Sequence, residues 1–468
     1  MRVAVAVAQL LWALTAHSRR VVVLPDEISV TSSLGSCDET AFRGTFVDYS
    51  VYQDCELPGS SGYDLDDDMA LFHVQAAGVD QRVTGDDWSF ANDLATLLAP
   101  TPEATNQVVL GQNAASIQLV YSSEFSALVA VHRDHIRSLD ARLPPYLSLV
   151  AVADSTPRRA TSGVSAEEEH LGDVLEELSF NGEVASLLGA LSLAQMKKDI
   201  TWLSGEDAKS PIWSRHSFSD GAQVAADWIQ AKFEDSGARC YQMPFLDGFA
   251  PNVVCEYSVS PNGNSSAPVY VLGAHYDSRG SWGSTRAPGA DDDGSGTTQI
   301  LAIARAIGAK NVTFRAPVRI VAFAGEEQGL LGSKAYARKL KDEGTPVALM
   351  IQADMLAFHL PGEPMQLGLP KYIHAPVASY LVGNVSNLYS PELSVGVTAA
   401  CCSDHQSFVE QGFPATQVFE RNGPIVDPMY HNSGDLVNRT GYDLEQVLAI
   451  AKVTYATVLH AAGYDVGA

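Results

Sequence analysis

Short apolar runs alternate with amphipathic helical stretches along the chain from about residue 195 onward. The runs are VYVLGAHYD, VRIVAFAGEE, VALMIQADML and TQVFE. Strands that are apolar throughout have both faces buried, as happens in a mostly parallel sheet covered by helices. The pattern therefore predicts an α/β fold with a mixed, mostly parallel sheet flanked by helices on both faces, and with an additional N-terminal α+β segment.

Charged residues follow several of these runs, at the edge where the carboxyl ends of parallel strands meet. They are His275, Asp292, Glu327, Asp354 and His431, with Glu326 beside Glu327. Each one alone is typical of a loop, a helix N-cap or a solvated surface. Together, however, the carboxylates would repel one another strongly unless cations neutralised them. Two hydrolytic zinc ions use nitrogen and oxygen ligands of this kind, with a free glutamate to move protons. The set therefore predicts a hydrolase with two zinc ions.

The same segments resemble the secreted zinc aminopeptidases of the M28 peptidase family, from about residue 195 to the C-terminus. HYDS, PGADDDGSG, AGEEQGLLGS, ADM, SDH and a late His stand in the family's order. The resemblance implies a zinc-exopeptidase fold and two Zn²⁺ per chain. It assigns Asp292, or as the alternative Asp291, to bridge the metals. It also implies these remaining roles: Glu327 and His431 at one metal, His275 and Asp354 at the other, and Glu326 as general base.

The predicted substrates are peptides with a free N-terminus, cleaved at the first peptide bond. Glu326 would accept the proton of the attacking water and pass it to the leaving amine. Asp277, two residues past His275, is placed to orient the imidazole, or else is a simple turn residue. A preference for apolar N-terminal residues such as Leu would need an apolar pocket. The candidate pocket residues, which could equally be ordinary core, are Met355, Phe413, Phe419, Met429 and Tyr430.

The segment TAACCSDH departs from the pattern of bacterial relatives, because Ala400 stands at a tyrosine position and Thr398 at a cysteine position. The adjacent Cys401 and Cys402 leave three alternatives open: a vicinal disulfide, free thiols or a nucleophile. Ser403-Asp404-His405 is not a serine triad, because three consecutive residues cannot converge on one atom. Other activities also stay open: a glutaminyl cyclase with one zinc, a dipeptidase or carboxypeptidase, or a non-catalytic binding module.

The N-terminal part of the chain differs from the rest in composition and charge. Residues 1–18 have the composition of a secretory signal peptide, 19–192 form an acidic pro-domain or accessory domain, and 193–468 form the catalytic domain. The charge supports a division, since residues 1–194 contain 10 Arg, no Lys and 27 acidic residues, a net charge of −17, out of −25 in all. Arg158-Arg159, in a polar linker, is a candidate processing site.

The composition and the cysteines limit partners and compartment. A net charge of −25 argues against binding nucleic acid or an anionic membrane surface, and no later run is long enough to insert in a bilayer. Six cysteines and four glycosylation sequons favour secretion, or delivery to a vacuole- or lysosome-like lumen. Cys240 and Cys255 flank neighbouring strands and are predicted to pair, and Cys37 with Cys55 is a further candidate pair.

Overall fold

Six strands in the C-terminal part of the chain form one mixed sheet in this computed structural model. The structure describes residues 18–25, 37, 41–46, 48–56, 62–99, 117–152, 164–400 and 402–467. We call residues 18–152 the N-terminal unit and residues 164–467 the C-terminal unit. The N-terminal unit comes first in the chain and contains these strands and helices: β1 (Ser18–Pro25), β2 (Phe42–Thr45), β3 (Tyr49–Gln53), β4 (Tyr63–Asp66), β5 (Met69–Ala76), α1 (Gln81–Thr84), α2 (Phe90–Leu98), β6 (Ile117–Ser122), β7 (Ser126–His132) and β8 (Leu147–Ala151).

The described part of the N-terminal unit consists of two four-stranded antiparallel sheets. Their strand orders are β2-β3-β1-β4 and β6-β7-β5-β8. Side chains of both sheets meet in one buried cluster that contains Val21 and Tyr49 from the first sheet and Leu71 and Leu128 from the second. The opposite side of the second sheet packs against α2 through Phe90. The predicted N-terminal α+β segment is confirmed.

The C-terminal unit contains the remaining elements. The helices are α3 (Ala166–Glu177), α4 (Gly182–Leu188), α5 (Leu193–Leu203), α6 (Asp220–Glu234), α7 (Gly294–Ala309), α8 (Leu331–Asp342), α9 (Pro376–Tyr389), α10 (His405–Glu410) and α11 (Leu444–Ala462). The strands are β9 (Arg239–Met243), β10 (Asn252–Glu256), β11 (Val269–His275), β12 (Val312–Phe314), β13 (Val318–Phe323), β14 (Val347–Ala353), β15 (Gln366–Pro370), β16 (Ser394–Thr398), β17 (Ala415–Val418) and β18 (Tyr464–Val466).

The main sheet has the order β17-β14-β11-β13-β10-β9. β17, β14, β11 and β13 run parallel, and β10 and β9 add two antiparallel strands at the other end. Alternate residues of a strand enter different cores: Val253 faces the cluster of α6, α7 and α11, whereas Val254 faces the cluster of α8 and α10. Because helices cover both faces, the inner strands β11, β13 and β14 are mostly apolar, and the predicted fold class is confirmed.

The boundary between the two units does not coincide with the compositional division at residues 192 and 193. Leu171 of α3 and Val184 of α4 are fully buried in the main core of the C-terminal unit. α3 begins with a capping box, in which Ser165 and Glu168 each accept the other's backbone N–H. The packing therefore assigns residues from 164 onward to the C-terminal unit, although their acidic composition resembles that of the preceding segment.

Two described disulfides match the predicted pairs, Cys37–Cys55 and Cys240–Cys255. The second joins directly paired residues of β9 and β10. Cys402 is disulfide-bonded, so it cannot serve as a nucleophile in this state, whereas Cys401 lies outside the described residues. Within the described ranges, none of the helices has the length and apolar composition needed to cross a bilayer. Residues 1–17 of the predicted signal peptide also lie outside those ranges.

Candidate metal centre

Three adjacent parallel strands bring candidate ligands to one edge of the main sheet. His275 is the last residue of β11, Asp354 directly follows β14, and Glu326 and Glu327 lie three and four residues past the end of β13. β11 lies between the other two strands, so the imidazole of His275 is at the centre. Its Nε2 atom is 3.7 Å from Asp354 Oδ1 and 4.0 Å from Glu326 Oε2.

Asp292 and His431 reach the same place from two loops. Asp292 Oδ1 is 3.3 Å from His275 Nε2, and Asp292 Oδ2 is 3.2 Å from His431 Nε2. His431 Nε2 is also 3.4 Å from Glu327 Oε2. All of the predicted metal ligands are therefore brought together, and Asp292 directs one oxygen to each histidine, the arrangement that a bridging carboxylate needs.

The two aspartates on either side of Asp292 accept hydrogen bonds from backbone N–H groups. Asp291 accepts the N–H groups of Ala357 and Phe358, at 2.8 and 3.1 Å. Asp293 accepts three N–H groups, those of His275, Gly296 and Met355. The carboxylate of Asp293 also lies close enough to His275 and Asp354 to contribute to a metal site, but both of its oxygens already accept hydrogen bonds. The middle aspartate is therefore the better bridge, and the outer two fix the strand ends beside it.

Asp435 is a residue that the sequence reasoning missed. It accepts the backbone N–H groups of Asp291 and Asp292, at 2.9 to 3.0 Å. Arg439 holds it in turn through a hydrogen bond of 3.0 Å to Oδ1. Because Asp435 lies four residues after His431 in the segment MYHNSGD, one loop supplies a candidate ligand and also fixes the loop that carries Asp292. In the sequence, its position in the same motif as His431 is the one feature that distinguishes Asp435, and that position does not show the contact.

Each candidate histidine ligand has a backbone carbonyl beside its second nitrogen. His275 Nδ1 lies 3.1 Å from Asp277 O, and His431 Nδ1 lies 2.8 Å from Pro145 O of the N-terminal unit. At His275, a proton on Nδ1, donated to the Asp277 carbonyl, leaves Nε2 free to bind a metal. The carboxylate of Asp277 is 3.6 Å from His275 Nδ1, and it also accepts the N–H groups of Glu326 and Glu327. The structure thus places Asp277 behind the site, where it holds the glutamate loop as well as His275.

The acidic groups of this site are poorly compensated by the protein alone. Burial, together with the charges of Glu327, Asp354 and Asp404, raises the pKa of Glu326 well above its ordinary value. Burial and the charge of Asp292 likewise raise the pKa of Glu327. One oxygen of Glu327 is buried and has no hydrogen-bond partner among the described residues. Carboxylates and imidazoles that converge in this way fit divalent cations, and the donor set of nitrogen and oxygen atoms suits zinc.

The segment Ser403-Asp404-His405 lies beside the site without forming a triad. Asp404 accepts a hydrogen bond of 2.9 Å from Gln352, and burial raises its pKa to about 7. His405 is fully buried, and neither ring nitrogen has a partner among the described residues. Burial lowers the pKa of His405 to about 3, so the ring is neutral. Asp404 acts on the centre through its charge near Glu326.

The N-terminal unit covers the site. The segment from Leu143 to Leu149 forms one wall of a cavity of about 50 Å³, and the candidate ligands form the opposite wall. A further backbone contact joins Ala151 N to Gly329 O at 3.1 Å. Apolar side chains complete the lining, namely Met355, Ala400, Phe419, Ile425 and Tyr430. Of the predicted pocket residues, Met355, Phe419 and Tyr430 line this cavity, whereas Phe413 packs in the core between the sheet and α8, and Met429 is not part of the lining.

Arg279 is a second residue that the sequence reasoning missed, although it directly follows HYDS. Its guanidinium is buried against Glu327, with Nε 3.5 Å from Glu327 Oε2. Nη2 contacts His431 Nδ1 and lies 3.5 and 3.4 Å from the carbonyl oxygens of Pro145 and Leu147. A cation therefore lies directly in the cavity wall, between the candidate metal ligands and the covering segment.

Comparison with known proteins agrees with this geometry. The model of the family described as Peptidase family M28 matches residues 252–458. A probable leucine aminopeptidase of Arthroderma otae is 31% identical over 285 residues, which cover 58% of this chain and 73% of that protein. Leucine aminopeptidase 1 of Metarhizium robertsii is 28% identical, over 56% of this chain and 68% of its own length.

Solved structures from Legionella pneumophila share the fold over a longer part of the chain. The LapA aminopeptidase aligns with a TM-score of 0.59 at 19% identity, and LapB with a TM-score of 0.61 at 19% identity. Each alignment covers 84% of this chain, with 98% of LapA and 100% of LapB. Because the C-terminal unit makes up about two thirds of the sequence, the shared fold extends into the N-terminal unit.

Proposed function

This chain belongs to peptidase family M28 and is a metallo-aminopeptidase, and we propose that it uses two zinc ions to remove apolar N-terminal residues such as leucine from peptides. The observation that carries the proposal is the position of Asp292, with one carboxylate oxygen within 3.3 Å of a nitrogen of each histidine. A single metal ion would need only the donors around one of the two histidines. The relatives named as leucine aminopeptidases support the choice of substrate.

The residues that would hold the metals form two groups around Asp292. His275 and Asp354 form one group, and Glu327 and His431 form the other. When bound in such a site, zinc polarises the scissile carbonyl and lowers the pKa of a coordinated water from 15.7 towards about 7. Asp277 would keep His275 in the tautomer that leaves Nε2 free.

Glu326 is the proposed general base. Its carboxylate lines the cavity beside His275 and has no place in either group of ligands. Its backbone N–H is held by Asp277, at 3.3 Å, so the side chain leaves the loop at a fixed point. Glu326 takes a proton from the attacking water and gives it to the leaving amine.

The apolar wall is proposed to receive the side chain of the N-terminal residue. Met355, Phe419 and Ile425 are buried and form one cluster on this side of the cavity. Burying a leucine side chain there would contribute about 1.5–3 kcal/mol. Ala400 leaves space at the position where bacterial relatives have a tyrosine, so the preference could extend to larger apolar residues.

The N-terminal unit is proposed to act as an inhibitory pro-domain. The site cavity of about 50 Å³ has room for about three to five water molecules, and the segment from Leu143 to Leu149 forms one of its walls. Movement of this segment would widen the cavity for a peptide. The hydrogen-bonded contacts at Pro145 and Ala151 support a stable closed form.

We also propose that the enzyme works in a secretory or vacuolar compartment. The disulfides Cys37–Cys55 and Cys240–Cys255, one in each unit, support this proposal, since such bonds persist in oxidising environments. Expression with residues 1–18 joined to a reporter would test it: export of the reporter is the expected result, and retention in the cytosol would contradict the proposal.

The function itself is tested with purified full-length protein and a panel of aminoacyl-4-nitroanilides. The protein is assayed before and after limited proteolysis at Arg158-Arg159, with and without a chelator. We expect hydrolysis that is fastest for leucine and other apolar residues, is abolished by the chelator and is restored by zinc. N-acetyl-leucine 4-nitroanilide is the matched control, because it lacks the free amine. Equal cleavage of the blocked substrate would contradict an aminopeptidase.

A further inference from the structure

Arg279 has unused hydrogen-bonding capacity in the catalytic cavity. Its guanidinium is buried, yet Nε and Nη1 have no hydrogen-bond partner among the residues that the structure describes. The contacts of Nη2 to the carbonyl oxygens of Pro145 and Leu147 are long, at 3.5 and 3.4 Å. Burying a permanently charged group with unpaired donors is costly unless a partner is supplied. The described residues therefore leave these donors free to bind a further acceptor.

The surroundings of Arg279 favour an anionic acceptor. Among the described residues that line the catalytic cavity, Arg279 is the one arginine or lysine. Its planar donor fork matches a carboxylate better than any neutral group, because two parallel hydrogen bonds can form. Among the described residues, Glu327 is the one anion within salt-bridge distance, at 3.5 Å, and that carboxylate belongs to the candidate metal ligands. Arg279 thus remains available for a carboxylate of the substrate.

The position of Arg279 selects which carboxylate this would be. Its Nε is 3.5 Å from Glu327 Oε2, so an anion held by Arg279 lies beside the candidate metal centre. Arg279 also forms part of the wall of a second cavity of about 260 Å³, lined by His216, Phe218 and Trp282. In a dipeptide, the C-terminal carboxylate belongs to the residue directly after the scissile bond, about 3.3–3.6 Å further along an extended chain.

We propose that Arg279 is an anion subsite that binds the free C-terminal carboxylate of a dipeptide, so that the enzyme selects dipeptides over longer or amidated peptides. In the closed protein, the carbonyl oxygens of Pro145 and Leu147 occupy the place of that carboxylate and hold Nη2. When the covering segment leaves, all the donors of the fork become available to substrate. This inference rests on the proposed aminopeptidase activity and adds a substrate class to it.

The test compares kcat/KM for Leu-Gly with kcat/KM for Leu-Gly-amide, which differ only in the C-terminal charge. Wild-type protein should prefer the free acid by about tenfold to a hundredfold, the effect expected of hydrogen bonds to a charged group. The ratio should fall to near one in Arg279→Gln. It should take an intermediate value in Arg279→Lys, which keeps the charge and loses the fork.

Arg286→Gln is the matched control. Arg286 follows in the same loop, but its guanidinium stacks on Trp213, 5.1 Å from the ring centroid, and is not part of the catalytic cavity wall. Removing this cation should leave the ratio of the wild type. A third substrate, Leu-Asp-amide, separates the two sources of a carboxylate: we expect it to be cleaved as slowly as Leu-Gly-amide, whereas fast cleavage would assign the subsite to an acidic side chain and overturn the dipeptide selection.

Two further outcomes are distinguishable. Equal rates for Leu-Gly and Leu-Gly-amide in a wild type that hydrolyses leucine 4-nitroanilide would overturn the subsite and leave the aminopeptidase intact. A wild type inert towards all of these substrates, before and after proteolysis at Arg158-Arg159, would overturn the aminopeptidase and the subsite with it. If Arg279→Gln unfolds, as judged by its thermal transition, the ratio in Arg279→Lys decides, since an unchanged ratio there contradicts the fork.

Discussion

The two units of this protein differ in how directly their sequences predict their structures. In the C-terminal unit, strands such as β11 and β14 are buried on both faces, so each is a continuous apolar run followed by a charged residue. In the N-terminal unit, β7 is buried along most of its length while its neighbour β6 alternates between buried and exposed residues. A continuous apolar run predicts a strand of a buried parallel sheet. A strand that mixes buried and exposed residues predicts no particular architecture.

The difference corresponds to a division of labour. The C-terminal unit supplies every predicted metal ligand and the proposed base, whereas the N-terminal unit supplies Leu143 to Leu149 over the cavity and the carbonyl of Pro145 beside His431. The C-terminal unit therefore positions the candidate catalytic groups, and the N-terminal unit limits access to them. Variants in each unit should separate these two contributions.

The largest expected effect is a loss of turnover without a loss of metal. Glu326→Gln removes the proposed base and leaves all the metal ligands in place, so turnover of leucine 4-nitroanilide should fall by about 10²–10⁴-fold. Zinc content should stay unchanged, because Glu326 belongs to neither group of ligands. Metal analysis of the purified variant checks this point. Glu327→Gln is the matched variant at the next position, and it should lose zinc as well as activity. Near-normal turnover in Glu326→Gln would rule this residue out as the base.

A second prediction concerns how the loop that carries Asp292 is held in place. Asp435→Asn weakens the acceptor for the N–H groups of Asp291 and Asp292, and should lower zinc affinity by about 10–100-fold. Asp427→Asn is its control, because Asp427 pairs with the same Arg439 but does not bond to the loop of Asp292. Competition with a chromophoric chelator measures the affinities. Equal losses in both variants would assign the effect to general packing around Arg439.

Most candidate site residues were predictable because of their positions relative to the strands. His275, Glu326, Glu327 and Asp354 come at or just after the ends of parallel strands, and those ends meet at one edge whatever the loops do. The roles of Asp435 and Arg279 could not be predicted, since each depends on a contact between loops that have no periodic pattern. The position of the segment from Leu143 to Leu149 over the cavity could not be predicted either, because a contact between the two units does not change the spacing of apolar residues along the chain.

The third prediction concerns access. Cleavage at Arg158-Arg159 should raise activity several-fold, since a severed segment from Leu143 to Leu149 can leave the cavity together with its unit. The double variant Arg158→Ala, Arg159→Ala should resist cleavage and keep the low activity of the intact chain. Rates with leucine 4-nitroanilide, followed during timed proteolysis, check this result. Constant activity throughout cleavage would favour an accessory domain over an inhibitory one.

The smallest predicted effect is a dependence of closure on pH. Asp140 of the N-terminal unit pairs with His216 of the C-terminal unit at 2.5 Å and also accepts a hydrogen bond from Gln328. Burial opposes both charges, but the hydrogen bond and the opposite charge prevail, so the pKa of His216 is raised above 6.5 and the pKa of Asp140 is lowered below 3.8. The pair therefore stabilises closure from about pH 4 up to the raised pKa of His216.

This contribution is lost as the pH rises through the raised pKa of His216, because the imidazole then becomes neutral. It is lost again in acid, as Asp140 becomes protonated. After cleavage at Arg158-Arg159, the N-terminal unit should dissociate more readily at pH 9 than at pH 6, which size-exclusion chromatography can follow. The His216→Gln variant should show no such difference. A wild type that dissociates equally at both pH values would contradict the role of this pair.

The central claim is that the edge of the main sheet in the C-terminal unit holds two catalytic metal ions around Asp292. The most direct test is elemental analysis of the purified full-length protein, with zinc counted per chain before and after dialysis against a chelator and again after zinc is returned. Two zinc ions per chain, lost and regained together with hydrolysis of leucine 4-nitroanilide, are the predicted result. A protein that binds no zinc, or one that hydrolyses the substrate equally well without any, would contradict the claim.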